Sequence, residues 1–312
     1  MPAATRDINQ RIRSVQNTRK ITKAMELVAS AKMRKASQAV VGTRPYANRA
    51  WDMLLNLAKR TEPDRHPLLR ATTPLKKIAV ILIASNRGLV GGFNAQIVSA
   101  VSKYIQEFKT ANVAEVDTVI MGTKSRAIFF QHGHEIAAEF MKQDITLDAA
   151  EVRPMAKLVI DGFTSGTYDR VIVGFMDFVS SLVQRPAIRQ VLPLTAEAFS
   201  TGQSGIISKT EREGIVAEEA AEERAFEYLF EPDADIVLDA LLPRLVEMQI
   251  FRAVLETNAA EHAARMVAMR NASDAANDLI DGLTLTFTQA RQAAITQDLA
   301  EISAGRAALE NA

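Results

Sequence analysis

Apolar positions recur at a helical period at both ends of this chain and at a strand period in its middle. In the N-terminal stretch Ile8, Ile12, Val15, Ile21, Met25, Val28, Met33, Ala36 and Val40 stand mostly three or four residues apart. That spacing predicts one apolar stripe on a helix. From Thr5 to Leu57 the only glycine is Gly42 and the only proline is Pro45, which allow a bend. Tyr46, Trp51, Leu54 and Leu55 then resume the pattern. The C-terminal stretch carries Leu245, Met248, Phe251, Leu255, Met266, Met269, Leu279, Leu283, Phe287, Ala290, Ile295, Leu299 and Ile302. It has no proline beyond Pro243, which falls in an early bent turn, and Asp233 or Asp235 is placed to cap its start. A helix of about 70 residues reaches roughly 100 Å, more than a small domain can bury. The two ends are therefore expected to pair with each other. The stripe does not read as a strict heptad, so the expected pair is irregular and weakly supercoiled.

The middle has a different grammar. Thr61 to Pro74 holds Pro63, Pro67 and Pro74 and reads as a linker. Lys77–Ser85 reads as a buried strand, followed by a glycine turn (Asn86–Asn94, NRGLVGGFN) and a helix to about Ala111. Further strands are expected at Val116–Gly122, Glu135–Met141, Arg170–Phe178 and Ile188–Leu194, with helices at Lys124–Gln131 and Ala149–Thr164. The alternation predicts an open, Rossmann-like α/β domain whose last two strands are antiparallel, because no helix separates them. Phe199–Gly214 reads as an exposed loop and Phe226–Phe230 as a short strand. The expected fold class is thus α/β plus a long antiparallel coiled coil of the terminal helices. Residues 1–60 and 232–312 would form the coiled coil as one discontinuous domain, 75–198 the α/β domain and 199–231 an acidic linker.

Charge adds an asymmetry to this outline. The chain is formally neutral, yet residues 1–45 hold ten Lys or Arg against Asp7 and Glu26. Residues 211–235 hold ten acids against Arg212 and Arg224. A basic helix end suits an acidic partner surface. The longest apolar run, Ile78–Ala84, is too short to span a bilayer. Asp7 and the immediate onset of helix argue against a transit peptide. The absence of cysteine excludes disulfides, thiol nucleophiles and thiolate metal sites. His66, His132, His134 and His262 are the only histidines, and His132 and His134 flank a loop glycine, so no metal is expected.

One feature hints at enzyme chemistry. Gly88, Gly91 and Gly92 lie between a strand and a helix, where backbone N–H groups can cradle phosphate. They match neither G-x-G-x-x-G nor a P-loop, and the simpler reading is a tight turn passing close to another segment. A nucleotide-binding α/β protein with helical extensions is the alternative that this turn keeps open. A scaffold binding nucleic acid through its basic end is a second, weakened by the scarcity of aromatics there. No serine–histidine–acid grouping or carboxylate pair stands out.

Three segments carry a resemblance. Ile12–Ser37 (IRSVQNTRKITKAMELVASAKMRKAS), Gly88–Asn94 (GLVGGFN) and Ala290–Leu309 (ARQAAITQDLAEISAGRAAL) resemble the gamma subunit of F-type ATP synthases, and Asn271–Asn277 (NASDAAN) is similar to a run of the same family. The resemblance implies a non-catalytic rotor, the central stalk, with no cofactor. It implies as partners the alpha and beta subunits of the catalytic ring, the epsilon subunit and the membrane c-subunit ring. Proton flow would turn the c ring and the stalk, which biases three beta sites differently. By residue match, Arg291, Gln292 and Thr296 are expected at a catch loop of the beta subunit, and Met25 near the same level. Lys23, Lys32, Arg34 and Lys35 are expected electrostatic contacts on charge alone. The implied location is peripheral, on the cytoplasmic face of a bacterial plasma membrane. Val90 stands where many relatives have cysteine, and the cysteine pair of chloroplast relatives is missing, so thiol switching is excluded.

Overall fold

The computed structural model describes residues 3–58, 66–110, 115–131, 135–145, 148–194 and 234–310, and within these not the side chains of 3–4, 44–58, 110, 131, 234–235, 305 and 307–310. Helix α1 is Ala3–Ala58. A 3-10 turn, Pro67–Leu69, leads to β1 (Lys77–Ile83), α2 (Phe93–Thr110), β2 (Glu115–Met121), α3 (Thr123–Gln131) and β3 (Ile136–Phe140). A second 3-10 turn, Ala149–Glu151, opens α4 (Arg153–Thr164), and β4 (Arg170–Phe178), β5 (Gln184–Leu192) and α5 (Ala234–Glu310) complete the order. The loop at 199–214, the acidic segment, the Phe226–Phe230 strand, Asp233, His132 and His134 fall outside the described residues.

The chain forms two compact units, Met1–Ser30 with Arg265–Ala312, and Ala31–Ala264. The division falls inside the long helices, not near residues 60 and 232. The physical reason lies in the second unit, where Ala36 and Val40 of α1 and Leu238 to Ala259 of α5 belong to the core around the sheet.

In the sheet unit the strand order is β3-β2-β1-β4-β5. β1 pairs in parallel with β2 and β4, and β2 with β3, while β4 and β5 are antiparallel. Alternation along β1 sends Ala79, Ile81 and Ile83 to one core and Ile78, Val80 and Leu82 to the other. The first core gathers Met155, Ala156, Val159 and Phe163 of α4 and the apolar residues of the long helices. The second gathers Ile97, Val98, Val101 and Ile105 of α2 with Phe129 of α3. A strand buried on both faces has no polar side to alternate with, which is why KIAVILI reads as a continuous apolar run.

Two glycines set the spacing of these layers. Gly122 has φ +115°, and a Cβ there would fall 2.3 Å from the Ala84 carbonyl oxygen. Around it the Ala84 amide donates to the Met121 carbonyl at 2.8 Å and the Lys124 amide to the Ser85 carbonyl at 3.0 Å, joining the ends of β1 and β2. A Cβ at Gly174 would meet Val101 Cγ2 at 2.3 Å, so α2 lies directly on β4. The linker expectation at Thr61–Pro74 is modified, since Leu68 and Leu69 of its 3-10 turn are buried in the sheet core. Strand β5 starts at Gln184, four residues before the expected start. Pro243 lies inside α5, in an early turn of a helix that begins at Ala234.

In the helical unit the pairing is antiparallel and its register is explicit. Arg19 Nη1 donates to Asn277 Oδ1 at 2.8 Å. Arg270 Nε donates to Glu26 Oε1 at 3.1 Å. Seven residues forward in α1 therefore match seven residues back in α5. Among the less exposed positions of α1 here, Thr5, Ile8, Ile12, Val15, Thr22, Glu26 and Ala29 carry the seam, with Asn9, Met25 and Ser30 half-buried beside it. Those that carry the α5 seam are Met266, Met269, Ser273, Ala276, Ile280, Leu283, Phe287, Ala290 and Ala294. With Arg19 filling the gap, both series step by alternating threes and fours, so the seam is a regular heptad. This corrects the expected irregular stripe. Ile21 and Val28, counted in that stripe, are 60% and 55% exposed.

Candidate functional site

The surface that matters for a coiled-coil protein is what its helices present outward, and α5 presents its last turns. By the register, Ala3 at the start of α1 lies level with Ala293. From Ala294 onward α5 continues past the start of α1 to Glu310. Ile295, Leu299 and Ile302 on this stretch are 47%, 62% and 69% exposed. Arg291, Gln292 and Thr296 all lie exposed beside its beginning. The Thr296 hydroxyl donates to the Gln292 carbonyl at 3.0 Å, while the ends of Arg291 and Gln292 reach into solvent.

Met25 is not at that level. It is half-buried and stands opposite Asn271, twenty residues before Arg291, which is about 30 Å along a helix. Matching residues in two chains of a sequence motif carries no axial register, and the two interhelical hydrogen bonds supply it. The lysines are divided in the same way. Lys23 binds Glu26 at 2.9 Å in the helical unit. Lys32 is paired with Asp144 in the sheet unit. Arg34 and Lys35 are exposed on α1 in that unit.

Glu26 is the one carboxylate within the α1 seam, 5% exposed. The Lys23 ammonium, and after it Arg270, hold its carboxyl below the usual glutamate range against the opposing effect of burial. Sequence reasoning missed this group because it counted only apolar residues. The signal was there: Arg19, Thr22 and Glu26 keep the heptad step with polar side chains.

The glycine turn is tied at its ends by Ser85 and Asn94. The Ser85 backbone amide donates to Asn94 Oδ1 at 3.2 Å, and Asn94 Nδ2 donates to the Ser85 hydroxyl at 2.8 Å. The Ser85 hydroxyl donates to the Arg87 carbonyl at 2.8 Å. Gly91 and Leu89 take left-handed φ values of 58° and 64°. A Cβ on Gly88 or Gly91 would meet nothing within 4 Å, so the expected close approach of another segment is corrected. The glycine at Gly91 serves its φ.

Beyond the strand ends of an open α/β sheet lies the usual ligand crevice. Here that region is laced with protein contacts. Asn86 donates to the Lys142 carbonyl, and the Thr123 hydroxyl donates to the Asn86 carbonyl at 3.0 Å. The Lys142 ammonium, buried, pairs with Glu261 of α5. His262 Nε2 lies 2.9 Å from the Asp144 carbonyl. Helix α5 thus holds the segment that follows β3 through Lys142 and Asp144.

A second buried charge cluster joins α5 to the β4–β5 hairpin. Arg252 Nε donates to Glu256 Oε1 at 2.8 Å, and Arg189 Nη1 lies 3.7 Å from Glu256 Oε2. The Arg189 guanidinium also stands 4.5 Å over the Phe175 ring. Burial, with the Glu256 carboxylate next, pushes the Asp177 carboxyl up to about 6. Among the described residues no group of three His, Cys, Asp or Glu is placed to hold a metal ion. None of the described helices is long and apolar enough to cross a membrane.

The comparisons agree with this architecture over nearly the full length. A family described as ATP synthase matches residues 4–309. The ATP synthase gamma chain of Herpetosiphon aurantiacus is 39% identical over 314 residues, covering 98% of this chain and 99% of that protein. The ATP synthase gamma chain of Heliobacterium modesticaldum is 40% identical over 304 residues, covering 97% of this chain and 98% of that protein. Among solved structures, a chain of the Euglena gracilis mitochondrial ATP synthase (OSCP/F1/c-ring, rotational state 3) aligns with TM-score 0.63 and 18% identity over 98% of this chain and 94% of its own. A chain of the Tetrahymena thermophila mitochondrial ATP synthase (central stalk/c-ring) aligns with TM-score 0.58 and 20% identity over 81% of this chain and 99% of its own. At such identities these two likenesses show the fold. Family match and curated relatives together decide the assignment: the chain belongs to the ATP synthase gamma chain family and is a non-catalytic subunit of that complex.

Proposed function

We propose that this chain is the rotor of a proton-translocating F-type ATP synthase, coupling rotation of a membrane c ring to conformational change at three catalytic sites. The observation that carries the reading is the asymmetry of the helical unit. One helix outruns the other, so a ring around it meets a different side chain in each direction. An axle of this kind favours a different state at each of three otherwise equivalent sites. The aligned chains belong to assemblies described as a rotor and as a central stalk with its c ring, which supports the same role.

In this reading the alpha and beta subunits surround the helical unit, and the epsilon subunit and c ring meet the chain elsewhere. Arg291 and Gln292 form the catch contact, because an exposed guanidinium beside an exposed amide suits an acidic loop. Thr296, capped onto the Gln292 carbonyl, keeps that turn in place. Lys23, Arg34 and Lys35 supply electrostatic contacts to the ring, and Lys32 does so only by leaving Asp144. Met25 contributes at its own, separate level. The complex would sit on the cytoplasmic face of a bacterial plasma membrane.

Reconstitution with cognate alpha and beta subunits tests the proposal. One chain per ring, with ATPase activity weakened in Arg291→Ala plus Gln292→Ala, is the expected result. Failure to assemble would remove the rotor reading, and assembly with unchanged activity would remove the catch residues alone.

A further inference from the structure

We infer that Gly282–Thr288 is a compliant joint in α5, the part of the helical unit where that helix bends and opens first. The run GLTLTFT is a poor helix former set inside a helix of 77 residues. Glycine and threonine both stand low in helix propensity, glycine through its backbone freedom and threonine through its branched Cβ. Earlier in α5 the chain is rich in alanine (Ala259, Ala260, Ala263, Ala264), the best helix former.

Neither packing nor backbone geometry asks for the weak residues. Gly282 is exposed and has no left-handed φ, and a Cβ there would meet nothing within 4 Å. Thr284, Thr286 and Thr288 are exposed as well, so none of them fills the seam with α1. Alanine at any of the four positions would fit and would hold the helix better. Each threonine hydroxyl also turns back on the helix. Thr284 donates to the Ile280 carbonyl at 2.7 Å, Thr286 to the Gly282 carbonyl at 2.9 Å and Thr288 to the Leu285 carbonyl at 2.7 Å. Bonds of this kind compete with backbone amides for the same acceptors and bend helices.

Tertiary packing does not compensate here. Between Met266 and Ala276 the seam is closed, with Met266, Met269, Ser273 and Ala276 buried on α5 and Thr22, Glu26 and Ala29 buried on α1. At the joint the seam residues are only half-buried: Ile280, Leu283 and Phe287 on α5, with Ile8, Ile12 and Val15 level with them on α1. Leu285 is 61% exposed and adds nothing to the seam. The core residues that anchor both long helices, Ala36 and Val40 on α1 and Leu238 to Ala259 on α5, belong to the sheet unit, so this stretch is left to its own contacts. Weak propensity coincides with a thin seam, and a stretch with few buried apolar contacts opens most easily.

The inference concerns the chain alone and does not rest on the rotor reading. Its test uses the full chain, which has no native cysteine to remove. Spin labels at Ala275→Cys and Gln289→Cys, both exposed, flank the joint, about 21 Å apart along a straight helix. The register sets Ile21 and Asp7 of α1 level with them, so both labels lie within the paired part of α5 and clear of its unpaired end. The labelled chain should give a broad distribution of distances. Gly282→Ala with Thr284→Ala, Thr286→Ala and Thr288→Ala should narrow it to a single distance. In hydrogen exchange the same four substitutions should raise the protection of the amides from Thr284 to Thr288 by at least about tenfold and leave those from Met266 to Ala276 unchanged. One narrow distance in the labelled chain without the alanines would overturn the inference, because α5 would then be straight and stiff through the joint. A broad distribution that the four alanines leave broad, or protection that they leave unchanged, would overturn it as well.

Discussion

Replacing Asp177 by asparagine should stabilise the sheet unit, most strongly at neutral or alkaline pH. Asp177 lies on β4 in register with Arg185 of β5, beside the Glu256 carboxylate and the Arg189 and Arg252 guanidiniums. Its carboxyl is moved from 3.8 to about 6, mainly by burial. The folded chain thus holds this proton more tightly than the unfolded chain does. The cost of ionising Asp177 is absent below about pH 4, grows between about pH 4 and 6, and is constant above. About two pKa units set a ceiling near 3 kcal/mol, and partial solvent screening reduces it to roughly 1–2 kcal/mol. Asparagine keeps the shape and a hydrogen-bonding group without the charge. Thermal unfolding of the two chains, compared at about pH 8 and about pH 4.5, reads the difference with every other titration in common. Asp177→Asn should melt higher by a few degrees at the alkaline pH, with about a third of that gain left at the acid pH. A variant that melts lower at about pH 8, or gains equally at both, would refute the assignment of strain to that carboxylate.

Three further outcomes are expected. Gly122→Ala should destabilise the sheet unit by at least about 2 kcal/mol, or abolish soluble expression, because φ is positive and the Cβ would meet the Ala84 carbonyl. Glu261→Ala leaves the buried Lys142 ammonium without its carboxylate, and denaturant titration should show a loss of about 3–5 kcal/mol. Arg291→Ala plus Gln292→Ala should leave the melting temperature of the isolated chain unchanged, since both are exposed, while lowering ATPase activity of the assembled ring.

Much of the fold was legible because the local signals agreed with the global ones. KIAVILI could only be a doubly buried strand, and the absence of a helix between Phe178 and Ile188 pointed to the antiparallel pair. What escaped was set by partners distant in sequence. The regular seam was hidden because Arg19, Thr22, Glu26 and Ser273 occupy it, while the exposed Ile21 and Val28 imitate it. Lys142 and Glu261 stand 119 residues apart, and no local pattern announces that they neutralise each other. The glycine turn was placed correctly but for the wrong reason, since close approach governs Gly122 and Gly174 while φ governs Gly91. Met25 and Arg291 share a motif-level resemblance, yet axial distance in a coiled coil comes from pairing alone.

The central claim is that this chain turns. A probe attached through Lys103→Cys, exposed on α2, would make it visible in a surface-fixed ring of alpha and beta subunits supplied with ATP. The account predicts one-directional rotation that stops when ATP is withdrawn. Sustained ATP hydrolysis by rings that contain the labelled chain, with the probe motionless, would contradict it.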